Sequence, residues 1–104
     1  MDNLEKYRGV IPAFYACYDE QGNISPERVR NLTEYLIRKG VKGVYVNGSS
    51  GECIYQSVEE RKTVIENVMN VARGRITVIN HVACNNTKDS VERVRHPVET
   101  GVDA

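Results

Sequence analysis

The sequence has no long apolar run, no excess of charge of one sign and no apolar leader at its amino terminus. No run approaches the roughly 18 apolar residues that would cross a bilayer. Fourteen Lys and Arg balance fourteen Asp and Glu among 104 residues, and neutrality argues against the basic surface that nucleic-acid binding requires. We therefore expect no membrane partner and no nucleic-acid partner. Because the charged first residues lack a secretory signal, we expect a cytoplasmic location.

Cysteine is scarce, and its spacing is unlike that of most metal or disulfide sites. Cys17, Cys53 and Cys84 form an odd count without a C-x-x-C pair, which indicates reduced thiols rather than a disulfide framework. Each follows a predicted strand, so together with His81 they could face one rim and bind zinc. Their long spacing favours small buried apolar side chains instead. We predict no metal site and leave the role of the thiols open.

What the chain does contain is a strand followed by a helix, repeated three times with a period near thirty residues. Ser25 and Pro26 mark the first helix start, while Ser57 and Glu60 form a capping box at the second. Thr87 is the predicted cap of the third. The predicted strands span residues 9–15, 41–46 and 76–79, and the glycines expected to end the helices are Gly40, Gly74 and Gly101.

The predicted strands are apolar throughout, which is typical of a parallel sheet covered by helices on both faces. Such units build either an open doubly wound sheet or a closed eight-unit barrel, and a barrel needs about 250 residues. The chain supplies three units and, at 101–104, the start of a fourth strand. We interpret residues 1–104 as the amino-terminal part of one α/β barrel domain. Pro97 predicts a kink or an early end of the third helix.

The run Gly48-Ser49-Ser50-Gly51-Glu52, directly after the second predicted strand, is the main candidate site. Glycines allow close approach of the backbone to a ligand, and the serine hydroxyls and backbone N–H groups suit a carboxylate or phosphate. The alternative is a turn with a helix-capping serine. His81 follows the third predicted strand. Two interpretations are open there: the ring contacts substrate, or it packs as a structural side chain. For the tyrosines near this rim, packing is the default interpretation: Tyr15, Tyr18, Tyr45 and Tyr55.

These motifs carry a resemblance to a known family. The glycine–serine run resembles the Gly-[Ser/Thr]-[Ser/Thr]-Gly-Glu signature of the dihydrodipicolinate synthase and N-acetylneuraminate lyase family. The run Ile79-Asn80-His81-Val82-Ala83-Cys84 is similar to Ile-x-His-Val-Gly-Cys of the lyases, whereas the synthases more often have a Gly-Thr-Gly-like sequence there. The similarity extends from about residue 9 to residue 104 and favours the lyase branch.

The resemblance implies a (β/α)₈ barrel, usually a homotetramer, that works without a metal or organic cofactor. The family's reaction passes through a Schiff base between a lysine and pyruvate. In the lyases it cleaves N-acetylneuraminate to N-acetylmannosamine and pyruvate, so pyruvate and an aldehyde or amino sugar are the implied substrates. By the same resemblance Ser49 and Ser50 hold the pyruvate carboxylate, Gly48 and Gly51 permit the turn, and Glu52 braces the loop.

The family's Schiff-base lysine and proton-relay tyrosine lie on later strands, beyond Ala104, so the resemblance implies no catalytic residue within these 104 residues and no activity of the chain alone. Its lysines fall at helix ends, on helix surfaces or in the tail: Lys6, Lys39, Lys42, Lys62 and Lys88. Where many members have Thr-Pro-Phe-Asp, this chain has Ala16-Cys17-Tyr18-Asp19, a departure that could mark a different sugar specificity. Two alternatives stay open: a dihydrodipicolinate synthase or other keto-acid aldolase, and a non-catalytic assembly or binding module.

Overall fold

A computed structural model describes residues 4–48, 56–81 and 100–104, in which helices and strands alternate. None of the helices within these ranges is both long and apolar enough to cross a membrane. The third predicted helix, with Pro97, lies outside the described residues. In chain order the elements are a 3₁₀ turn (Leu4–Tyr7), α1 (Pro26–Arg38), β1 (Gly43–Val46), α2 (Val58–Ala72) and β2 (Thr77–Asn80).

Both helices begin at the predicted caps. The Ser25 hydroxyl accepts the backbone N–H of Arg28 at 3.2 Å, and Pro26 occupies the first helical position, where no intrahelical donor is needed. At α2 the capping box is complete, since Ser57 N donates to Glu60 Oε1 at 2.9 Å and Glu60 N donates to Ser57 Oγ at 3.1 Å. The predicted helix starts at Ser25 and Ser57 are therefore confirmed, whereas the start at Thr87 lies outside the described residues.

β1 and β2 are parallel, with a register that runs from Gly43 opposite Thr77 to Val46 opposite Asn80. The backbone continues this pairing at both edges of the pair. On one side Phe14 N donates to Tyr45 O at 2.8 Å, and on the other Asp103 N donates to Val78 O at 3.0 Å. Four neighbouring segments thus follow one another across the sheet in chain order, the arrangement expected of successive βα units.

The strand predicted at 9–15 is much shorter in the structure. Only an isolated parallel bridge forms there, between Ala13 and Tyr45. Pro12 has no N–H to donate to a ladder, although its carbonyl still accepts from Tyr45 N at 2.9 Å. Gly9 adopts φ of +129°, outside the extended region. Val10 O also accepts from Lys42 N at 2.8 Å. Gly9 and Pro12 explain why these separate backbone contacts do not extend into a regular strand.

The described core lies on one face of this sheet, between the strands and the two helices. Alternation along a strand sends successive side chains to opposite faces. On the face opposite the core, Tyr15 is 65% exposed, and Tyr45 and Ile79 are partly exposed. The apolar strands predict cover on both faces, and within the described ranges helices cover one of them. The buried apolar residues of the described core are Phe14, Val29, Val44, Val46, Val64, Ile65, Val68, Met69, Ala72 and Val78.

An ion pair ties the start of β2 to α1. Arg75 donates to both carboxylate oxygens of Glu34, at 2.7 and 3.0 Å. This bidentate hydrogen bond lowers the pKa of Glu34 and raises that of Arg75. Both side chains are well exposed, so the pair orients the elements more than it stabilises them.

Candidate functional site

The candidate site lies at the edge of the sheet where β1 and β2 both end. Because the strands are parallel, their carboxyl ends meet at one edge, and barrel enzymes carry their chemistry at that edge. Asn47 and Gly48 follow β1, while Asn80 is the last residue of β2 and His81 follows it. The predicted site residues Gly48 and His81 therefore stand on adjacent strand ends.

Asn47 has a left-handed backbone and a buried side chain. Its φ is +65°, a conformation that asparagine tolerates better than most residues with a Cβ. Its side-chain Nδ2 donates to Asn80 Oδ1 at 2.9 Å and to the Arg61 carbonyl at 3.3 Å. Asn47 is 4% exposed and Asn80 is 9% exposed. The two amides therefore join the ends of the two strands in an interior where a lost hydrogen bond is costly.

Gly48 is buried against an aromatic ring of the preceding strand. A Cβ added at this position would lie 2.5 Å from Cε1 of Tyr45, which is closer than packed carbon atoms can approach. The sequence predicts a glycine that permits a turn and close approach to a ligand. The structure supplies a different and sufficient reason for it, because the Tyr45 ring occupies the space of any side chain at residue 48.

His81 stands beside the same tyrosine. Its backbone N–H donates to Val46 O at 2.8 Å, which continues the pairing of the two strands. The rings of His81 and Tyr45 are 6.0 Å apart between centroids, tilted by 58°, an ordinary aromatic contact. The ring nitrogen Nδ1 is buried and finds no hydrogen-bond partner among the described residues. The ring is packed on one side and has one unused nitrogen, so both interpretations of His81 stay predictions.

Cys17 and Tyr18 bring the amino-terminal segment to the same edge. The Tyr18 hydroxyl accepts from Gln56 Nε2 at 3.1 Å, just ahead of α2. Burial raises the pKa of the Cys17 thiol, an effect that nearby Arg28 partly offsets. A thiol that stays protonated is a poor nucleophile and a poor metal ligand. Cys53 and Cys84 lie outside the described residues, so the zinc cluster that they would form with Cys17 and His81 is not tested.

Ser49, Ser50, Gly51 and Glu52 also lie outside the described residues, so their contacts with an anion stay a prediction. No lysine is found at the strand-end positions that the structure describes. Lys42 immediately precedes β1, at the opposite edge of the sheet, and the Lys39 amine lies 5.4 Å over the ring of Tyr35.

A groove of about 520 Å³ also lies at the opposite edge, where the strands begin. Lys42, Arg73 and Arg75 line it. Two of its cations already have partners, because Arg73 donates to the Thr100 carbonyl and Arg75 pairs with Glu34. The amino edge of a barrel contributes stability rather than catalysis. The carboxyl edge therefore remains the candidate site.

Asn47 and Asn80 are absent from the set of residues predicted from sequence. For Asn47 a signal exists, since Asn-Gly at the end of an apolar strand indicates a turn with positive φ. For Asn80 no local signal exists. Its role depends on a partner 33 residues away, which only the register of β1 and β2 brings close.

The chain is similar in sequence to a known protein family over almost its whole length. The model of the dihydrodipicolinate synthetase family matches residues 6–104. The N-acetylneuraminate lyase of Mediterraneibacter gnavus is 75% identical over 104 residues, which is all of this chain and 33% of that protein. The chain therefore spans about a third of the length of this relative.

Solved structures agree with the predicted fold. The catalytic-lysine mutant of the Ruminococcus gnavus sialic acid aldolase superposes with a TM-score of 0.98 at 75% identity, over all of this chain and 34% of that one. A dihydrodipicolinate synthase from Bacillus anthracis gives a TM-score of 0.82 at 31% identity, over 91% of this chain and 33% of that one. The expectation that the chain is the amino-terminal part of a barrel aldolase fold is confirmed.

Proposed function

Because this chain belongs to the dihydrodipicolinate synthetase family, we propose that it forms the amino-terminal third of an N-acetylneuraminate lyase. The observation that carries the proposal is the 75% identity to such a lyase over every residue of the chain. The whole protein would cleave N-acetylneuraminate reversibly to N-acetylmannosamine and pyruvate. A homotetramer and a cytoplasmic location, both expected from the sequence, belong to the same proposal.

The proposed role of this part of the barrel is to hold the keto acid. The hydroxyls and N–H groups of Ser49 and Ser50 would bind the carboxylate of pyruvate. A lysine outside these 104 residues would attack the keto carbon, and the resulting iminium would accept the electron pair of the C–C bond that breaks. A tyrosine, also outside this chain, would relay the proton.

The described part of the rim has a composition that suits an anion. Where β1 and β2 end, its side chains are amide and imidazole groups, carried by Asn47, Asn80 and His81, and Gln56 adds a third amide before α2. No carboxylate is found among these four residues. The amide hydrogens of Asn47 are already used by Asn80 and by the Arg61 carbonyl, so what favours an anion here is the lack of an acidic side chain that would repel it.

A chimera tests the proposal. Residues 1–104 of this chain would replace the matching third of the Mediterraneibacter gnavus lyase, and pyruvate release from N-acetylneuraminate would be measured. We expect kcat/KM within about tenfold of the parent lyase, a loss of less than about 1.4 kcal/mol. A chimera that is folded and tetrameric but inactive would contradict the proposal.

Substitutions in the chimera locate the carboxylate contact. Ser49→Ala and Ser50→Ala should each raise KM by about 10- to 100-fold, the effect of losing a hydrogen bond to a charged group. Ser57→Ala is the matched control, because its hydroxyl is committed to the cap of α2. It should lower stability and leave KM unchanged. Equal effects of all three variants would assign Ser49 and Ser50 to structure.

The synthase is the competing activity, and the same chimera distinguishes it. The chain is 31% identical to the Bacillus anthracis synthase, against 75% for the lyase. It also has His81 where the synthases more often have a Gly-Thr-Gly-like sequence. Assays with pyruvate and aspartate semialdehyde should give no condensation. The chain alone, treated with pyruvate and borohydride, should gain no mass, and a reduced adduct on one of its lysines would place the Schiff base here.

A further inference from the structure

We infer that Asn47 and Asn80 are positioning residues, whose side-chain hydrogen bond fixes the backbone turn at Asn47 and Gly48, directly ahead of Ser49. The bond joins two neighbouring strand ends, 2.9 Å from Nδ2 to Oδ1. The structural part of the inference is independent of the proposed function, while the ligand that it serves, the carboxylate of pyruvate, rests on it.

The first support is the unusual backbone of Asn47. A left-handed residue with a Cβ is unfavourable and persists where its surroundings hold it in place. Here both hydrogens of the side-chain amide are used, one by Asn80 and one by the Arg61 carbonyl. The backbone turn after β1 is thus held from β2 on one side and from α2 on the other.

The second support is the register. Asn80 lies opposite Val46, the last residue of β1, so its side chain can reach the residue after that strand. His81 N donates to Val46 O at 2.8 Å and fixes the same pair of strand ends through the backbone. Asn80 therefore stands on a rigid element, and Asn47 adjusts to it.

The third support is the residue that follows. Gly48 is buried with its Cα against the Tyr45 ring, which leaves no space for a side chain. Two consecutive residues are therefore constrained, Asn47 by the neighbouring strand and Gly48 by its own strand. Ser49, the first of the two predicted carboxylate donors, is the next residue in the sequence.

The test uses the ¹⁵N-labelled chimera with the Mediterraneibacter gnavus lyase, described above, and three variants of it. Asn47→Gly removes the amide and accepts positive φ without strain, so it is expected to fold. Asn80→Leu removes the acceptor at similar volume, and Asn80→Asp keeps an acceptor oxygen. Backbone amide shifts and heteronuclear NOE values would be recorded for residues 48–50, with Val44 and Val78 as reporters of the sheet.

We expect Asn47→Gly and Asn80→Leu to shift the amides of residues 48–50 and to lower their NOE values, while the reporters stay in place. The double variant should change these amides no more than Asn47→Gly alone, because Asn47→Gly already removes the bond to Asn80 together with the bond to the Arg61 carbonyl. Asn80→Asp should return the amide shifts towards those of the parent, with a loss of stability because it places a carboxylate in a buried position. Unchanged amides at 48–50 in Asn80→Leu, which leaves the neighbouring sequence intact, would overturn the inference, as would changes spread evenly over the sheet.

A titration with pyruvate separates the inference from the proposed function. We expect the apparent Kd for pyruvate to rise about three- to tenfold in Asn47→Gly and Asn80→Leu, the effect of one neutral hydrogen bond, and to return towards the parent value in Asn80→Asp. Equal Kd values in all variants would overturn the positioning role. If the parent chimera binds no pyruvate while its loop amides respond to Asn80→Leu, the positioning stands and the ligand is rejected.

Discussion

The two faces of the sheet differ sharply, although they are built from the same few residues. Phe14 is 1% exposed beneath the helices, and the adjacent Tyr15 is 65% exposed on the other face. In β1, Val44 and Val46 are fully buried, while Tyr45 between them is not. The covered face contains the core of the chain. The other face carries the rings of Tyr45 and His81, next to the candidate site.

Residues on the covered face therefore stabilise the fold, and residues on the other face lie next to the candidate site. In a closed barrel the second face is the interior, filled by side chains from all the strands. Among the described residues this second face is partly exposed. The stability of this chain should therefore depend on one face only, and substitutions can test that directly.

The largest expected effect compares Phe14 with Tyr15. Phe14→Ala should lower the free energy of unfolding by about 3–5 kcal/mol, because it removes a fully buried ring and leaves a cavity. Tyr15→Ala, on the opposite face, should change it by less than about 0.5 kcal/mol. Urea unfolding followed by circular dichroism measures both. Similar losses would mean that the second face is also covered in solution.

Gly48→Ala should have the next largest effect, because its Cβ would meet the Tyr45 ring at 2.5 Å. Overpacking of this kind costs about 1–3 kcal/mol. Combining it with Tyr45→Ala should recover part of that loss, since the obstructing ring is gone. Unfolding free energies of the two single variants and the double variant give the coupling. A strictly additive double variant would show that the ring is not the obstacle.

A smaller effect is expected at the N-terminal cap of α2, one of the helices that pack on the covered face. Ser57→Ala removes one half of the capping box and should cost about 1 kcal/mol in unfolding free energy. Ser57→Asp retains an acceptor for the Glu60 N–H and is the matched control. If Ser57→Asp lost as much as Ser57→Ala, the hydroxyl bond of 3.1 Å would not be what stabilises the helix start.

The smallest expected effect concerns the exposed ion pair between Glu34 and Arg75. The hydrogen bond from Arg75 lowers the folded-state pKa of Glu34 below the ordinary value of a glutamate carboxyl. A lowered folded pKa means that the stabilisation is fully present above pH 4.5 and is lost as the pH falls through the folded pKa. Glu34→Gln should therefore destabilise slightly at pH 7 and have no effect in acid. Arg75→Gln should show the same pH dependence in urea unfolding, and a pH-independent loss would contradict this origin.

The helices could be predicted because their signals lie within a few residues of one another. The first strand and the strand-end contacts were predicted less well, because they depend on residues far apart in the sequence. Ser25 and Ser57 were found because a cap depends on residues three positions apart. The strand at 9–15 was overestimated because its β-branched and aromatic residues outweighed Pro12, which interrupts the ladder. Asn80 was missed because its partner lies 33 residues away. The predicted carboxylate contacts of Ser49 and Ser50 stay predictions, and so does the third helix.

The order of pairing across the sheet bears on how the molecule is made. Residues 13 and 45, then 46 and 80, then 78 and 103 come together, so each new segment binds the one synthesised before it. A nascent chain can therefore assemble this sheet as it emerges from the ribosome, without waiting for distant sequence. Ribosome-bound chains stalled after both strands have left the exit tunnel should already resist proteolysis in α1 and α2.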